Sequence, residues 1–79
     1  MLQPGDYSSD VKTLQKRLSA LGYDVGYPDG LFGDGTRRAV KKYQKDQGLD
    51  DDGIVWPGVW IMLFPEDAAD LPVKADKGE

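Results

Sequence analysis

The 79-residue chain has no cysteine and no histidine. Those two absences together exclude disulfides, a thiol nucleophile, Cys/His zinc sites and a Ser-His-Asp triad. No apolar run approaches the ~20 residues that a bilayer-spanning helix needs. The N-terminus also lacks the basic, then apolar, then small-residue pattern of a secretion signal. The chain therefore reads as soluble, with no membrane partner and no visible leader. Glutamate is missing from residues 1–65, so a hydrolase that holds two carboxyls across a sugar would have only aspartates to use. A chain of single-domain length without crosslinks must be held by apolar packing. Two Trp, two Phe and four Tyr supply large areas for burial.

The body of the chain has little excess charge of either sign. The net charge is −4, yet residues 66–79 carry five acids and two bases, while residues 1–65 carry nine acids and eight bases. A nearly neutral body has no strong field to attract nucleic acid or an anionic membrane. The acidic end is almost free of large apolar residues and reads as a flexible tail or linker. The expected division is a domain over 1–65 and a tail over 66–79.

Within the body, apolar residues recur at helical spacing. Val11, Leu14, Leu18 and Leu21 fall on one stripe, preceded by Ser8, Ser9 and Asp10 as capping residues and closed by Gly22. From Gly22 to Asp34, Tyr23, Tyr27, Pro28, Asp29, Leu31 and Phe32 alternate with glycines, which predicts a structured loop of consecutive turns. Thr36, Ala39, Val40 and Tyr43 make a second stripe, with Asp34 as the expected N-cap and Gly48 as the stop. Its opposite face carries Arg37, Arg38, Lys41, Lys42 and Lys45 and reads as solvated. Pro57 stands at a first helical position before Trp60, Ile61, Leu63 and Phe64, and Pro65 is expected to end that short helix. Asp29-Gly30-Leu31-Phe32 is echoed by Asp52-Gly53-Ile54-Val55, one turn launching each of two helices.

The resulting expectation is an all-α fold: a small closed three-helix bundle with two Asp-Gly turns and a glycine-rich loop between helices one and two. Inward positions nominate Leu14, Leu18, Leu21, Phe32, Val40, Tyr43, Ile54, Trp60 and Leu63 as core. Asp50, Asp51 and Asp52 invite a calcium reading. An EF-hand alignment puts Gly48 at its first ligand position and Val59 where the bidentate Glu belongs, so no metal is expected. Gly30, Gly33 and Gly35 are not followed by Gly-Lys-Ser/Thr, which removes a phosphate loop. No catalytic residue and no cofactor are expected.

Taken together, Asp10-Val11, Leu14-Gln15, Leu18, Leu21-Gly22-Tyr23, Asp29-Gly30, Phe32-Gly33, Thr36, Ala39-Val40, Gln44, Gly48-Leu49, Asp52-Gly53-Ile54-Val55 and Trp60 with Leu63 resemble the three-helix peptidoglycan-binding domain over about residues 3 to 64. The run from Gly22 to Gly33 looks most like the N-terminal wall-binding domain of modular phage endolysins. The resemblance implies a non-catalytic, monomeric module that grips bacterial peptidoglycan at the cell wall or the periplasmic face while an attached hydrolase cuts it. Two departures stand out. The family usually has Gly where this chain has Trp56, and often Thr where it has Val59. Trp56 adds an aromatic surface beside the second turn, and its expected structural role is extra cover over helix one.

Peptidoglycan offers sugars with apolar faces and stem peptides with carboxylates and amines, which suit aromatic, basic and acidic side chains respectively. Tyr23, Tyr27, Asp29, Arg37, Lys41 and Trp56 are the candidates, expected to line one groove between helix two and the two turns. A protein-interaction module that keeps the fold without the wall groove is the alternative. The same fold serves as the inhibitory propeptide of matrix metalloproteinases, but that role needs a cysteine this chain lacks.

Overall fold

The structure, a computed structural model, describes residues 1–68. Residues 69–79, most of the expected acidic tail, lie outside the described residues. Among the described residues four helices follow in order: α1 over Ser9–Ala20, α2 over Asp34–Asp46, α3 over Pro57–Leu63 and a single turn, α4, over Pro65–Ala68. Among the described residues, extended pairing is limited to isolated antiparallel bridges at Leu2–Val55 and Tyr7–Leu31.

Each helix boundary has a local cause. Ser8 is extended, and its hydroxyl oxygen accepts from the Val11 N–H at 3.3 Å, which satisfies one of the unpaired donors of the first turn. α1 stops at Ala20, and the Tyr23 N–H reaches back to the Leu18 carbonyl at 2.9 Å. Leu21, expected in the core, is 51% exposed because it lies beyond the last helical residue, and Val25 enters the core after the turn. The cap of α2 is Gly33 and not Asp34. Asp34 is the first helical residue and makes no capping bond, so its carboxylate acts only through the helix dipole. α3 opens with Pro57 at its first turn, where a missing N–H leaves nothing unpaired. Pro65 ends α3 but then begins α4, so the first residues after it are helical.

The junction of α3 and α4 is clamped from α1. One Arg17 nitrogen donates to the Leu63 carbonyl at 2.8 Å, and the other pairs with Glu66 at 2.8 Å. The guanidinium lies 4.5 Å over the Phe64 ring, which stacks on Trp60 at 4.3 Å. A carbonyl left open at the end of α3 thereby gains a charged donor.

Val11, Leu14 and Leu18 of α1 meet Ala39, Val40 and Tyr43 of α2 and Val59 and Leu63 of α3 in a single core. Val25, Phe32, Val55 and Phe64 complete it from the connecting segments. Ile54 and Trp60, expected inside, are only half-buried. Val55 takes the inward place because successive side chains of an extended segment point to opposite faces.

Two buried glutamines organise the connections. Gln15 and Gln44 are each 1% exposed. The Gln15 carbonyl oxygen accepts from the Gly30 N–H at 2.9 Å, and its amide nitrogen donates to the Leu31 carbonyl and the Thr36 hydroxyl, both at 2.9 Å. Gln44 repeats this on the second turn, accepting from the Gly53 N–H at 2.9 Å and donating to the Ile54 carbonyl at 2.9 Å and the Asp52 carboxylate at 3.0 Å. Asp29 and Asp52 close the turns by accepting from the Leu31 and Ile54 N–H groups, each at 2.9 Å. Gly30 and Gly53 have φ of +87° and +78°, a region that side chains avoid. A Cβ on Gly30 would also lie 3.1 Å from the Ser8 carbonyl oxygen, and one on Gly53 3.1 Å from Arg37 Cγ. The N-terminal arm binds both turns: Leu2 exchanges two backbone bonds with Val55, Gly5 and Asp6 pair with Phe32, and the Ser8 N–H donates to Gly30.

Replacing either glutamine with leucine keeps the volume but leaves a buried N–H and a buried carbonyl unpaired. At about 1–3 kcal/mol per orphaned group, Gln15→Leu and Gln44→Leu are each expected to lose roughly 2–6 kcal/mol. A domain of this size rarely holds more than about 3–5 kcal/mol, so each variant should be substantially unfolded at room temperature by circular dichroism in urea. A loss no larger than that of the exposed Gln47→Ala would show that the amides are dispensable.

The turn carboxylates also predict an acid response. The Asp29 pKa is lowered chiefly by the Leu31 N–H and further by Gln15; that of Asp52 is lowered chiefly by the Trp56 indole N–H, then by Ile54 and Gln44. A folded-state pKa below the unfolded one means that the unfolded chain binds protons first as pH falls. The thermal midpoint should therefore hold down to the ordinary aspartate range and drop below it. Asp29→Asn with Asp52→Asn should flatten that drop while lowering the midpoint at neutral pH.

Candidate functional site

The two turns present two concave surfaces built on the same frame. The first is a depression of about 170 Å³. Tyr27, at 81% exposure, stands at its rim with Asp29, while Val25 and Thr36 lie below. The second is a wider groove of about 420 Å³ between the α2–α3 connection and α3, walled by Leu49, Trp56, Val59 and Met62, with Asp50 and Asp52 along it. Its walls are mostly apolar, and Leu49, Trp56 and Met62 remain solvent-exposed.

Trp56 is fixed within this groove. Its Nε1–H donates to an Asp52 carboxylate oxygen at 2.8 Å, while the other oxygen of Asp52 serves Ile54 and Gln44. Asp52 thus stays ionised under three donors, and the indole is held with its ring open to solvent at 46% exposure. The expected cover over helix one does not occur, since Trp56 lines a wall shared with Gln44 of α2 and with α3.

The structure separates the six residues nominated from the sequence. Tyr27 and Asp29 sit together at the first turn. Arg37 and Lys41 lie against the bare Cα of Gly53, their stems within 3.1 and 3.3 Å of where a Cβ would be, so they flank the second turn without lining the groove that holds Trp56. Tyr23 lies elsewhere, its hydroxyl donating to Asp46 at 2.8 Å and its ring edge-on to Tyr43 at 5.7 Å. The Asp46 bond raises the Tyr23 pKa, which keeps the hydroxyl protonated and engaged. Leu49, Asp50 and Met62 of the groove were not nominated. The available signal was the spacing of Met62 three residues after Val59, which puts both on one face of α3. Among the described residues no group of three acids is placed to hold a metal ion, and no helix is long and apolar enough to cross a membrane.

Comparison with known proteins gives this frame a family. A family model described as “Putative peptidoglycan binding domain” matches residues 7–63. The chain is 49% identical over 58 residues to the N-acetylmuramoyl-L-alanine amidase CwlM of Mycobacterium tuberculosis, a stretch that is 73% of this chain and 14% of the amidase. Among solved structures, the N-terminal domain of SleB is similar with a TM-score of 0.77 and 37% identity over 82% of this chain and 89% of that one. A Burkholderia AP3 phage endolysin is similar with a TM-score of 0.75 and 38% identity over 82% of this chain and 25% of the endolysin. The chain thus spans a small part of the amidase and of the endolysin, and nearly all of a separately solved N-terminal domain. With the matched family model running from the N-terminal arm to the end of α3, this chain belongs to the peptidoglycan binding domain family.

Proposed function

We propose that the chain is a non-catalytic module that binds bacterial peptidoglycan and tethers an attached wall hydrolase, such as an endolysin, to its insoluble substrate. The observation that carries this reading is the extent of the matches. Most of this chain aligns with a small fraction of the amidase and the endolysin, leaving their larger remainder for chemistry. Tethering needs only affinity, since a linked catalytic domain then works at a raised local concentration. In this reading the module acts as a monomer at the cell wall or its periplasmic face, without nucleic acid or membrane partners. Residues 1–65 form the binding domain, Glu66 is tied to it through Arg17, and the acidic residues that follow serve as a linker.

The side chains proposed to grip the wall are those at the two turns: Tyr27 and Asp29 at the first, and Arg37, Lys41 and Trp56 at the second. Tyr23 contributes less, because its hydroxyl is engaged by Asp46. The exposed Leu49, Trp56 and Met62 favour one alternative, a surface for a protein partner, because contiguous apolar exposure marks interaction sites.

Washed sacculi incubated with the purified chain and pelleted are expected to carry it down without releasing soluble fragments. Trp56→Ala and Tyr27→Ala should each reduce the bound fraction several-fold, in line with about 1 kcal/mol or more per exposed aromatic contact. Absence of binding, together with self-association in sedimentation, would favour the protein-partner reading.

A further inference from the structure

We infer that the groove at the second turn recognises a primary amine carried on an aliphatic stem, as in the diamino acid of a wall stem peptide; this rests on the peptidoglycan reading and names the part of the polymer held. Three features of the groove converge on that ligand. Leu49, Val59 and Met62 form an apolar trough suited to an alkyl chain and offering nothing to a polar one. Trp56 lines the groove at 46% exposure with its only donor taken by Asp52 at 2.8 Å, which leaves its ring as the surface for a ligand, and an indole face attracts a cation more strongly than other aromatic rings do.

The third feature is the sign of the polar groups. Among the described residues, the charged ones lining the groove are Asp50 and Asp52, and none of the lining side chains is basic. Both Asp52 oxygens already accept bonds from Trp56, Ile54 and Gln44. Asp50 is exposed and has no hydrogen-bond or ion-pair partner among the described residues. The Gln44 amide is buried and fully engaged with its own turn. The groove therefore offers side-chain acceptors and no free side-chain donor. An ammonium is the matching group, with three donors and no acceptor, whereas a carboxylate would be repelled and an acetamido sugar would leave its acceptors without side-chain partners. The stem-peptide amine thus lays its methylenes along Leu49 and Met62, its charge over Trp56, and an N–H toward Asp50.

The test uses sacculi whose stem peptides carry a free lysine ε-amine, which has no carboxylate on its carbon, compared with the same sacculi after acetylation of their amines, in a pelleting assay. Wild-type binding is expected to fall on the order of tenfold on acetylation, the loss of a charge-assisted bond and a cation–π contact. Asp50→Asn should bind untreated sacculi at the lowered level and show little further loss on acetylation; the substituted side chain is exposed and unbonded, so the fold is untouched. Equal wild-type binding to both preparations would overturn the amine inference and leave wall binding standing. The same loss on acetylation in wild type and Asp50→Asn would also overturn it, by placing the amine elsewhere. No binding to either preparation would remove both readings.

Discussion

Gln15 and Gln44 each take one backbone N–H and one carbonyl that an Asp-Gly turn leaves facing the interior. A left-handed glycine aims its N–H away from any helix or sheet partner, and burying that donor unpaired is expensive relative to the few kcal/mol that a small domain holds. Each amide answers this with one oxygen and one nitrogen on a rigid helix, so the turn can close at only one register against the helix behind it. Apolar packing supplies most of the stabilisation, but packing is tolerant of shape. The amides are what fix where the chain re-enters the next helix. The N-terminal arm depends on them in turn, since Leu2, Gly5 and Ser8 bond to backbone groups whose positions the two latched turns define.

Much of this was legible in the sequence, and the misses have definite causes. Helical periodicity located α1, α2 and α3, and the capping residue Ser8 and the first-turn Pro57 mark real boundaries. Periodicity misplaced Leu21 because a stripe can be extrapolated past the point where the helix has ended, and only the backbone bond from Tyr23 to Leu18 shows that it has. It chose Ile54 over Val55 because neighbours in an irregular segment differ only in which side the pleat turns inward. The glutamines appeared only within the family pattern. A polar residue on an apolar stripe is a signal, but its partners are 15 and nine residues further along the chain, and local spacing cannot find them.

The candidate surface was less legible than the fold. Tyr27, Asp29 and Trp56 were identifiable as exposed or turn residues of the right chemistry, yet a single groove required the two turns to face one cleft. They form separate surfaces because each turn is latched to a different helix, the first to α1 through Gln15 and the second to α2 through Gln44. Arg37 and Lys41 flank the second turn outside the groove for a reason the sequence does contain: Gly53 lacks a Cβ, so the stems of two α2 side chains can settle over it.

The two departures from the family pattern, Trp56 and Val59, have a common centre in Asp52. At the first turn, seven residues after Asp29, the Thr36 hydroxyl accepts a Gln15 N–H at 2.9 Å, and the Asp29 carboxylate accepts only a longer bond at 3.4 Å. At the second turn the equivalent residue is Val59, which cannot accept, and the Gln44 N–H turns to Asp52 at 3.0 Å. Four residues after Asp29 stands Gly33; four after Asp52 stands Trp56, whose indole N–H takes the remaining Asp52 oxygen. Loss of the hydroxyl leaves the amide proton to Asp52, and the carboxylate so held becomes the anchor for the indole. Val59 then packs as a wall of the groove that Trp56 overhangs. The same pair of changes that alters the latch therefore gives the second turn an apolar recess with acidic edges, where the first turn has a smaller depression lined by Tyr27, Asp29 and Thr36.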